Sequence, residues 1–253
     1  MFAVLIVVSM LSNKRDVSLG YDFNEPTETF ILPDILREVS GITIRNKHRI
    51  VCVQDENGIL FQFDTKSKEI AMQSYFGEDG DYEGVCKAGS FFYVLRSDGV
   101  LFELDNQFMK KEEIIAEEEA PAIGETAVKQ YNRLLIISRE KSPHTHSNVR
   151  LVYAFDLAKK QLSKQPAFTL NPFSGKWKKQ SDLLFRPSEL AVHPLTGELY
   201  VLSSKDHALF VFSANGKIRT IQLLNPTIFN KPEGIAFLEN GDVYISNEGK
   251  DEK

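Results

Sequence analysis

The sequence predicts an all-β protein: a five-bladed β-propeller with four antiparallel strands in each blade, closed by an N-terminal strand. The first observation is an internal repeat, in which a polar residue is followed by a small or apolar residue and a short apolar run. This polar residue occurs five times, at Ser40, Glu83, Glu125, Glu189 and Glu233. The resulting spacings of 43, 42, 64 and 44 residues are mostly within the length of one propeller blade, about 40 to 50 residues.

The second observation is a shared order of strand-like runs after each copy of the repeat. A turn leads into a β-branched and aromatic run, such as residues 50–53 (IVCV), and in the first four copies a third run comes next, such as residues 60–63 (LFQF). The runs are apolar on both faces, as expected when each blade is covered by a neighbour on either side. A β-sandwich would not predict five copies of one motif at near-constant spacing.

The N-terminal segment admits two interpretations. Residues 2–11 are apolar and precede a polar stretch, so the run is about as long as the apolar part of a signal peptide and too short to cross a bilayer. We interpret residues 1–16 as a signal-like or membrane-anchoring segment, which places the protein outside the cytoplasm, in the periplasm or anchored to the envelope membrane. The alternative is that residues 2–11 form a buried β-strand.

The propeller domain is then expected over residues 17–253, and its ring must be closed. Residues 17–32 contain strand-like runs, whereas the fifth copy of the repeat is followed by too few residues for its outer strands. Closure of a propeller commonly uses an N-terminal strand in the last blade. We therefore expect a strand within residues 17–32 to complete blade five.

The blades follow one another closely along the chain. Blade one is expected over residues 38–76, blade two over 82–115, blade four over 188–223 and blade five from residue 232. Blade three is longer, and its extra residues, 141–148 and 171–187, are expected to form loops because insertions in repeat folds map to loops. No stretch resembles an interdomain linker, so a single propeller domain is expected.

Composition and motifs limit the possible activities. The formal charge of −5 provides no electrostatic footprint for nucleic acid, so no nucleic-acid partner is expected. Cys52 and Cys86 lie in apolar runs without metal-site spacing, which predicts buried free thiols. The sequence has no G-x-S-x-G elbow, H-E-x-x-H or P-loop, and catalytic residues cannot be assigned. We expect a monomer.

The candidate site is a ring of polar residues around one mouth of the central channel. The first strand of each blade is innermost, so the repeated polar residue at its start faces that mouth. Carboxylates that lie close together raise one another's pKa, and a cation bound by oxygen atoms relieves the repulsion. We therefore predict a divalent-cation site, Ca²⁺ by hypothesis, formed by Glu83, Glu125, Glu189 and Glu233 with Asp81 and Glu56 as outer contributors.

The second strand of each blade returns to the same mouth and adds further polar residues. Together with the first position of the ring they are candidates for binding a small ligand: Ser40, Asp55, Arg96, Asp98, Arg139, Glu140, Lys205 and Glu248. The ring also has a purely structural interpretation. A glutamate that begins an inner strand can accept hydrogen bonds from backbone amides of the neighbouring blade and fasten the two together.

Five motifs carry a resemblance to a known family: residues 39–41 (VSG), 54–56 (QDE), 80–84 (GDYEG), 232–236 (PEGIA) and 244–249 (YISNEG). Together they resemble the SdiA-regulated (YjiK/CarP-like) family of bacterial envelope β-propellers, over about residues 25–249. The resemblance implies a five-bladed propeller that is exported or membrane-anchored, and some members of the family are linked to calcium. The acid-glycine motifs are also similar to those of phytase-like propellers.

Two classes of function remain open. The first is a non-catalytic envelope propeller that binds calcium or a small ligand at its acidic mouth, with membrane association through the N-terminus as a further possibility and an envelope protein as another partner. The second is a calcium-dependent phosphoesterase resembling the phytase-like propellers, with Arg96, Arg139 and Lys205 holding phosphate near the metal. The first is the function we predict.

Overall fold

The computed structural model describes residues 2–11, 19–115, 123–130, 132–138, 148–180 and 182–249, with the backbone alone for residues 115 and 123–130. These residues form five small antiparallel sheets arranged as the blades of a propeller. The predicted fold is therefore confirmed. Each blade begins with an innermost strand at the central channel and continues outward.

The strands of the first two blades are arranged in the order of the chain. Blade one contains β3 (Val39–Asn46), β4 (Arg49–Gln54), β5 (Ile59–Asp64) and β6 (Glu69–Tyr75). Blade two contains β7 (Tyr82–Ala88), β8 (Phe91–Arg96), β9 (Val100–Leu104) and β10 (Lys110–Ile115). Every residue of β5 is buried, whereas β6 alternates between exposed and half-buried residues. The difference arises because inner strands are covered on both faces and the outermost strand lies at the blade edge.

Blades three and four have the same order. Blade three contains β11 (Ile123–Gln130), β12 (Arg133–Ser138) and β13 (Arg150–Asp156), and two short strands, β14 (Gln161–Leu162) and β15 (Phe168–Leu170), both pair with β13. Blade four contains β16 (Glu189–Val192), β17 (Leu199–Ser203), β18 (Ala208–Phe212) and β19 (Ile218–Leu223). The outer position of blade three is thus divided between two segments.

Blade five closes the ring with strands from both ends of the chain. Its order from the outside inward is β2 (Glu28–Ile31), β1 (Val4–Val8), β21 (Val243–Asn247) and β20 (Pro232–Phe237). In the register of this sheet, Ile6 is opposite Ile245 on one side and Thr29 on the other. The predicted N-terminal closure is therefore confirmed, and it uses two strands.

The structure corrects the interpretation of residues 2–11. Hydropathy assigns this stretch to a signal-like or membrane-anchoring segment outside the propeller, but Val4–Val8 is an internal strand of blade five. Its side chains are apolar on both faces because Leu5 packs in the seam with blade one and Ile6 in the seam with blade four. The alternative of a buried strand is what the structure shows, and the propeller begins before residue 17.

An apolar cluster fills each seam between neighbouring blades in the described part of the chain. Cys52 and Cys86 are buried in these clusters as thiols and not joined in a disulfide, as predicted. Burial raises the pKa of the Cys52 thiol to about 12. Within the described residues, the helices are the short 3₁₀ segments Asp34–Leu36 and Gly175–Lys179, and no helix has the length and apolar character needed to cross a bilayer.

A buried histidine ties the N-terminal segment to blades four and five. Nδ1 of His193 accepts hydrogen bonds from the backbone N–H groups of Leu195 and Thr196, each at 3.2 Å. Nε2 therefore carries the proton and donates to the Tyr21 hydroxyl at 2.8 Å, and Tyr21 donates to the carbonyl of Gly241. Because His193 is buried, the pKa of its imidazole is lowered, which keeps this ring neutral.

Candidate functional site

The inner strands of the five blades surround the central channel, and each one contacts the next. The repeated polar residue lies at the beginning of each inner strand, as predicted: Ser40 in β3, Glu83 in β7, Glu125 in β11, Glu189 in β16 and Glu233 in β20. The side chain of Glu125 lies outside the described residues. The repeat thus marks one mouth of the channel.

Two members of this ring bind the neighbouring blade. The hydroxyl of Ser40 donates to the carbonyl of Tyr82 in blade two at 2.6 Å. The Oε2 atom of Glu189, which is fully buried, accepts a hydrogen bond from the backbone N–H of Ile235 in blade five. Next to it, Ser188 donates to the Pro232 carbonyl at 3.0 Å. At these positions the ring fastens blades together, which is the structural interpretation.

The glycine of the repeat makes room for this fastening. A Cβ atom on Gly234 would clash with Oγ of Ser246 and would lie 3.1 Å from Oε2 of Glu189. The absence of a side chain therefore lets the glutamate of blade four reach the backbone of blade five. A similar approach occurs between blades one and two, where a Cβ on Gly41 would lie 2.7 Å from Cα of Gly84.

At and above this ring, the mouth gathers charged side chains from blades one, two and five. We call this group the acidic mouth; it consists of one lysine, Lys231, and the acids Glu38, Asp55, Glu56, Asp81, Glu248 and, from the ring itself, Glu233. Backbone hydrogen bonds hold its segments together, since the Asp55 N–H donates to the Glu38 carbonyl at 3.3 Å and the Glu248 N–H donates to the Lys231 carbonyl at 3.0 Å. The Asp55 carbonyl in turn accepts from the N–H of Tyr82 at 3.1 Å.

The charges of the acidic mouth repel one another. Burial, followed by the nearby carboxylates of Glu248 and Glu56, raises the pKa of Asp55. Burial and the carboxylates of Asp55 and Glu56 raise the pKa of Glu38 in the same way. The Oδ1 atom of Asp55 is buried and has no hydrogen-bond partner among the described residues. A buried carboxylate oxygen without a partner is costly, so this atom favours the approach of a donor or cation.

Lys231 is the cation that the structure places among these acids. Its Nζ contacts Oε2 of Glu248 and lies 3.8 Å from Oε1 of Glu233. Burial raises the pKa of Glu233 to about 7, an effect that Lys231 opposes and Glu248 enhances. One lysine thus compensates part of the negative charge, mainly on the blade-five side.

The predicted metal ligands lie partly in the ring of repeated residues and partly at the surface of the acidic mouth. Glu83 and Glu189 are buried in the inner strands, whereas Glu56 and Asp81 are exposed at the surface of the mouth. Among the described residues, no group of three or more histidine, cysteine, aspartate or glutamate side chains is arranged to hold a metal ion. The assignment of Glu83, Glu125, Glu189, Glu233, Asp81 and Glu56 to a calcium site stays a prediction.

The predicted phosphate-binding residues are dispersed as well. Arg96 binds Asp98 through Nε and Nη2 at 2.9 to 3.1 Å, and its guanidinium group lies 5.2 Å from the ring centroid of Phe102. Lys205 is exposed in the turn between β17 and β18. Arg139 and Glu140 lie outside the described residues. Among the described residues, Arg96 and Asp98 therefore form an ion pair with each other.

Sequence reasoning missed two residues of the acidic mouth, Glu38 and Lys231. Both lie two positions before the repeated polar residue, as does Asp81 in blade two. Comparing the residues two positions before each copy of the repeat would have found them. No sequence motif points to this position, because its residues carry opposite charges and are not of one type.

Comparisons with known proteins agree with this architecture. The chain is similar to a structure in the nidogen/laminin complex, at 9% identity and a TM-score of 0.56, covering 93% of this chain and 82% of that chain. It is also similar to the WD40 β-propeller domain of Doa1, at 10% identity and a TM-score of 0.51, covering 88% of this chain and 64% of that chain. Likeness at such identities concerns the fold alone.

A comparison with curated proteins found no match. The family described as SdiA-regulated matches residues 21–250, which include all five copies of the repeat. The motifs that suggested this resemblance now have structural positions, at the starts of the inner strands and at the mouth. The chain belongs to the SdiA-regulated family.

Proposed function

We propose that this propeller is a non-catalytic binding protein of the cell envelope whose acidic mouth takes calcium or a small cationic ligand. The observation that carries the proposal is Asp55, whose buried Oδ1 lacks a hydrogen-bond partner among the described residues while Glu248 and Glu56 lie near it. Binding a cation here would remove both the repulsion and the unsatisfied oxygen.

The donor chemistry of the mouth suits calcium. Ca²⁺ takes oxygen ligands from carboxylates and backbone carbonyls. The residues that would supply them are Asp55, Glu56, Glu38 and Asp81, and these side chains would have to move closer together on binding, because no three of them are arranged to hold a metal ion in the free protein. Lys231 supplies a competing positive charge on the side of Glu248. The proposed function is therefore ligand binding. If the ligand is calcium, its binding should raise the stability of the folded protein.

The location in the cell envelope, in the periplasm or at a membrane, is part of the proposal and is supported by the family resemblance. It does not rest on residues 2–11, because Val4–Val8 serves as a strand of blade five. Fractionation of the source cells with an antibody to the protein tests the location. Light scattering of the purified protein tests the proposed monomeric state.

Differential scanning calorimetry tests the binding, first with chelator and then with calcium or with putrescine as an organic dication. At a free ligand concentration of about 100 times Kd, the stabilisation is about 2.7 kcal/mol, which corresponds to a rise in Tm of about 5 to 11 °C for a protein of this size. We expect Asp55→Asn to remove most of this response. The exposed residue Glu239 lies in the turn between β20 and β21, and Glu239→Gln is the matched control.

The free protein provides a second readout. Because Asp55→Asn removes a repelled charge, this variant should unfold without ligand at the same temperature as the natural sequence or at a higher one. A Tm that is insensitive to both cations, or equally sensitive in the natural protein and Asp55→Asn, would contradict the proposed site. Calcium-dependent hydrolysis of inositol phosphates in the same samples would favour the phosphoesterase alternative instead.

A further inference from the structure

The central channel contains a cavity below the ring of acids. Its volume is about 220 Å³, and residues from the inner strands of blades one, two, four and five line it; most of these residues are apolar, including Ile42, Ile44, Val85, Leu190, Ala236 and Phe237. An apolar cavity of about 150 Å³ already holds a benzene molecule. The cavity of this propeller is therefore large enough for a short hydrocarbon chain.

One cation lies among the residues that line the cavity. Among the described residues that line the cavity, Lys87 is the one with a charged side chain. Its Nζ donates to the backbone carbonyl of Arg45 at 3.2 Å, and in the described part of the chain it has no ion-pair partner. The hydroxyl of Thr43, which also lines the cavity, accepts a hydrogen bond from the Lys87 backbone N–H at 3.2 Å.

Charge is distributed unequally along the channel. Lys87 follows Glu83 by four residues in β7, which places the two about 13 Å apart along the strand. One end of the channel therefore carries the acidic mouth and the buried carboxylate of Glu189, whereas the opposite end carries an ammonium group. A negatively charged headgroup is repelled at the first end and attracted at the second.

We propose that this cavity binds a small aliphatic carboxylate, with the carboxylate at Lys87 and the hydrocarbon chain directed into the channel. Ligand sites of this kind are mostly apolar, with a few polar groups that fix the orientation. The carboxylate provides the acceptor that pairs with the ammonium group of Lys87, and the chain buries apolar surface between the inner strands. This site is separate from the acidic mouth, and the proposal does not depend on the function proposed above.

Isothermal titration calorimetry with octanoate tests the proposal. We expect saturable binding to the natural protein that weakens by about tenfold or more in Lys87→Met, since a hydrogen bond to a charged group is lost. Lys87→Arg keeps the cation and should keep most of the affinity. Lys47 is exposed in the neighbouring β3–β4 turn, so Lys47→Met is the matched control and should bind octanoate like the natural protein.

A series of probes on the natural protein decides the question even if the variants do not fold. Butanoate should bind more weakly than octanoate because it buries less apolar surface, and octylamine should not bind in the cavity because its charge is reversed. The proposal is overturned if octanoate does not bind, if octylamine displaces octanoate with equal affinity, or if a folded Lys87→Met variant retains full affinity. Asp55→Asn should leave octanoate binding unchanged, which separates this outcome from that of the acidic mouth.

Discussion

The position of β1 in blade five predicts a large loss of stability for Leu5→Ala. Leu5 is fully buried in the seam between blades five and one, in a cluster that also contains Phe30 and Ile50. Truncating a buried leucine to alanine removes transfer free energy and leaves a cavity, at a cost of about 2 to 5 kcal/mol. At about 2 to 4 °C per kcal/mol for a protein of this size, Tm should fall by roughly 4 to 20 °C.

The assay is thermal unfolding followed by circular dichroism, with urea unfolding as a second measure of the free energy. Phe2→Ala is the matched control, because Phe2 lies in the same apolar stretch but is 59% exposed, and its replacement should change stability by no more than about 0.5 kcal/mol. If residues 2–11 acted only as a targeting segment, both variants would be as stable as the natural protein. That result would refute the pairing of β1 with β21.

Two further predictions concern the blade seams. Gly234→Ala should lower the free energy of unfolding by about 1 to 3 kcal/mol through overpacking, because the added Cβ would clash with Ser246 and would displace the Glu189 carboxylate; unchanged urea unfolding would show that this approach is not tight. His193 has a lowered pKa in the folded protein, so below about pH 6.5 the unfolded chain binds the extra proton and the native state loses stability as the pH falls. The stability difference between the natural protein and His193→Gln should therefore shrink between pH 7.5 and 5.5, by at most about 1.4 kcal/mol per pH unit, and a constant difference would contradict the neutral assignment of this ring.

The sequence by itself determined the number of blades and the phase of their strands. The repeat at Ser40, Glu83, Glu125, Glu189 and Glu233 marks the start of each inner strand, because a strand period of two and spacings of 43, 42 and 44 residues in three of the four intervals leave little freedom of register. The apolar runs after each copy identify strands covered on both faces. The local sequence pattern is enough to locate the strands, because every blade buries its two faces against its neighbours in the same way.

The sequence could not decide what the acids at the channel do. Glu189 accepts a hydrogen bond from Ile235, and Asp55 lies among Glu248 and Glu56; Ile235 and Glu248 are separated from these acids by tens of residues or more along the chain. Glu189 therefore has a structural role in blade four, whereas Asp55 of blade one belongs to the charged mouth. The difference depends on which backbone amide or carboxylate the neighbouring blade presents, and only the closed ring fixes that.

The tertiary structure also decided the role of residues 2–11. A short apolar run is compatible with both a targeting segment and a buried strand, because hydropathy reports that the residues avoid water and not what covers them. Val4–Val8 pairs with Glu28–Ile31 on one edge and with Val243–Asn247 on the other, so these residues form a strand inside blade five. The physical reason is closure: the last blade needs two more strands, and the free edges of β21 and β2 bind the N-terminal run between them.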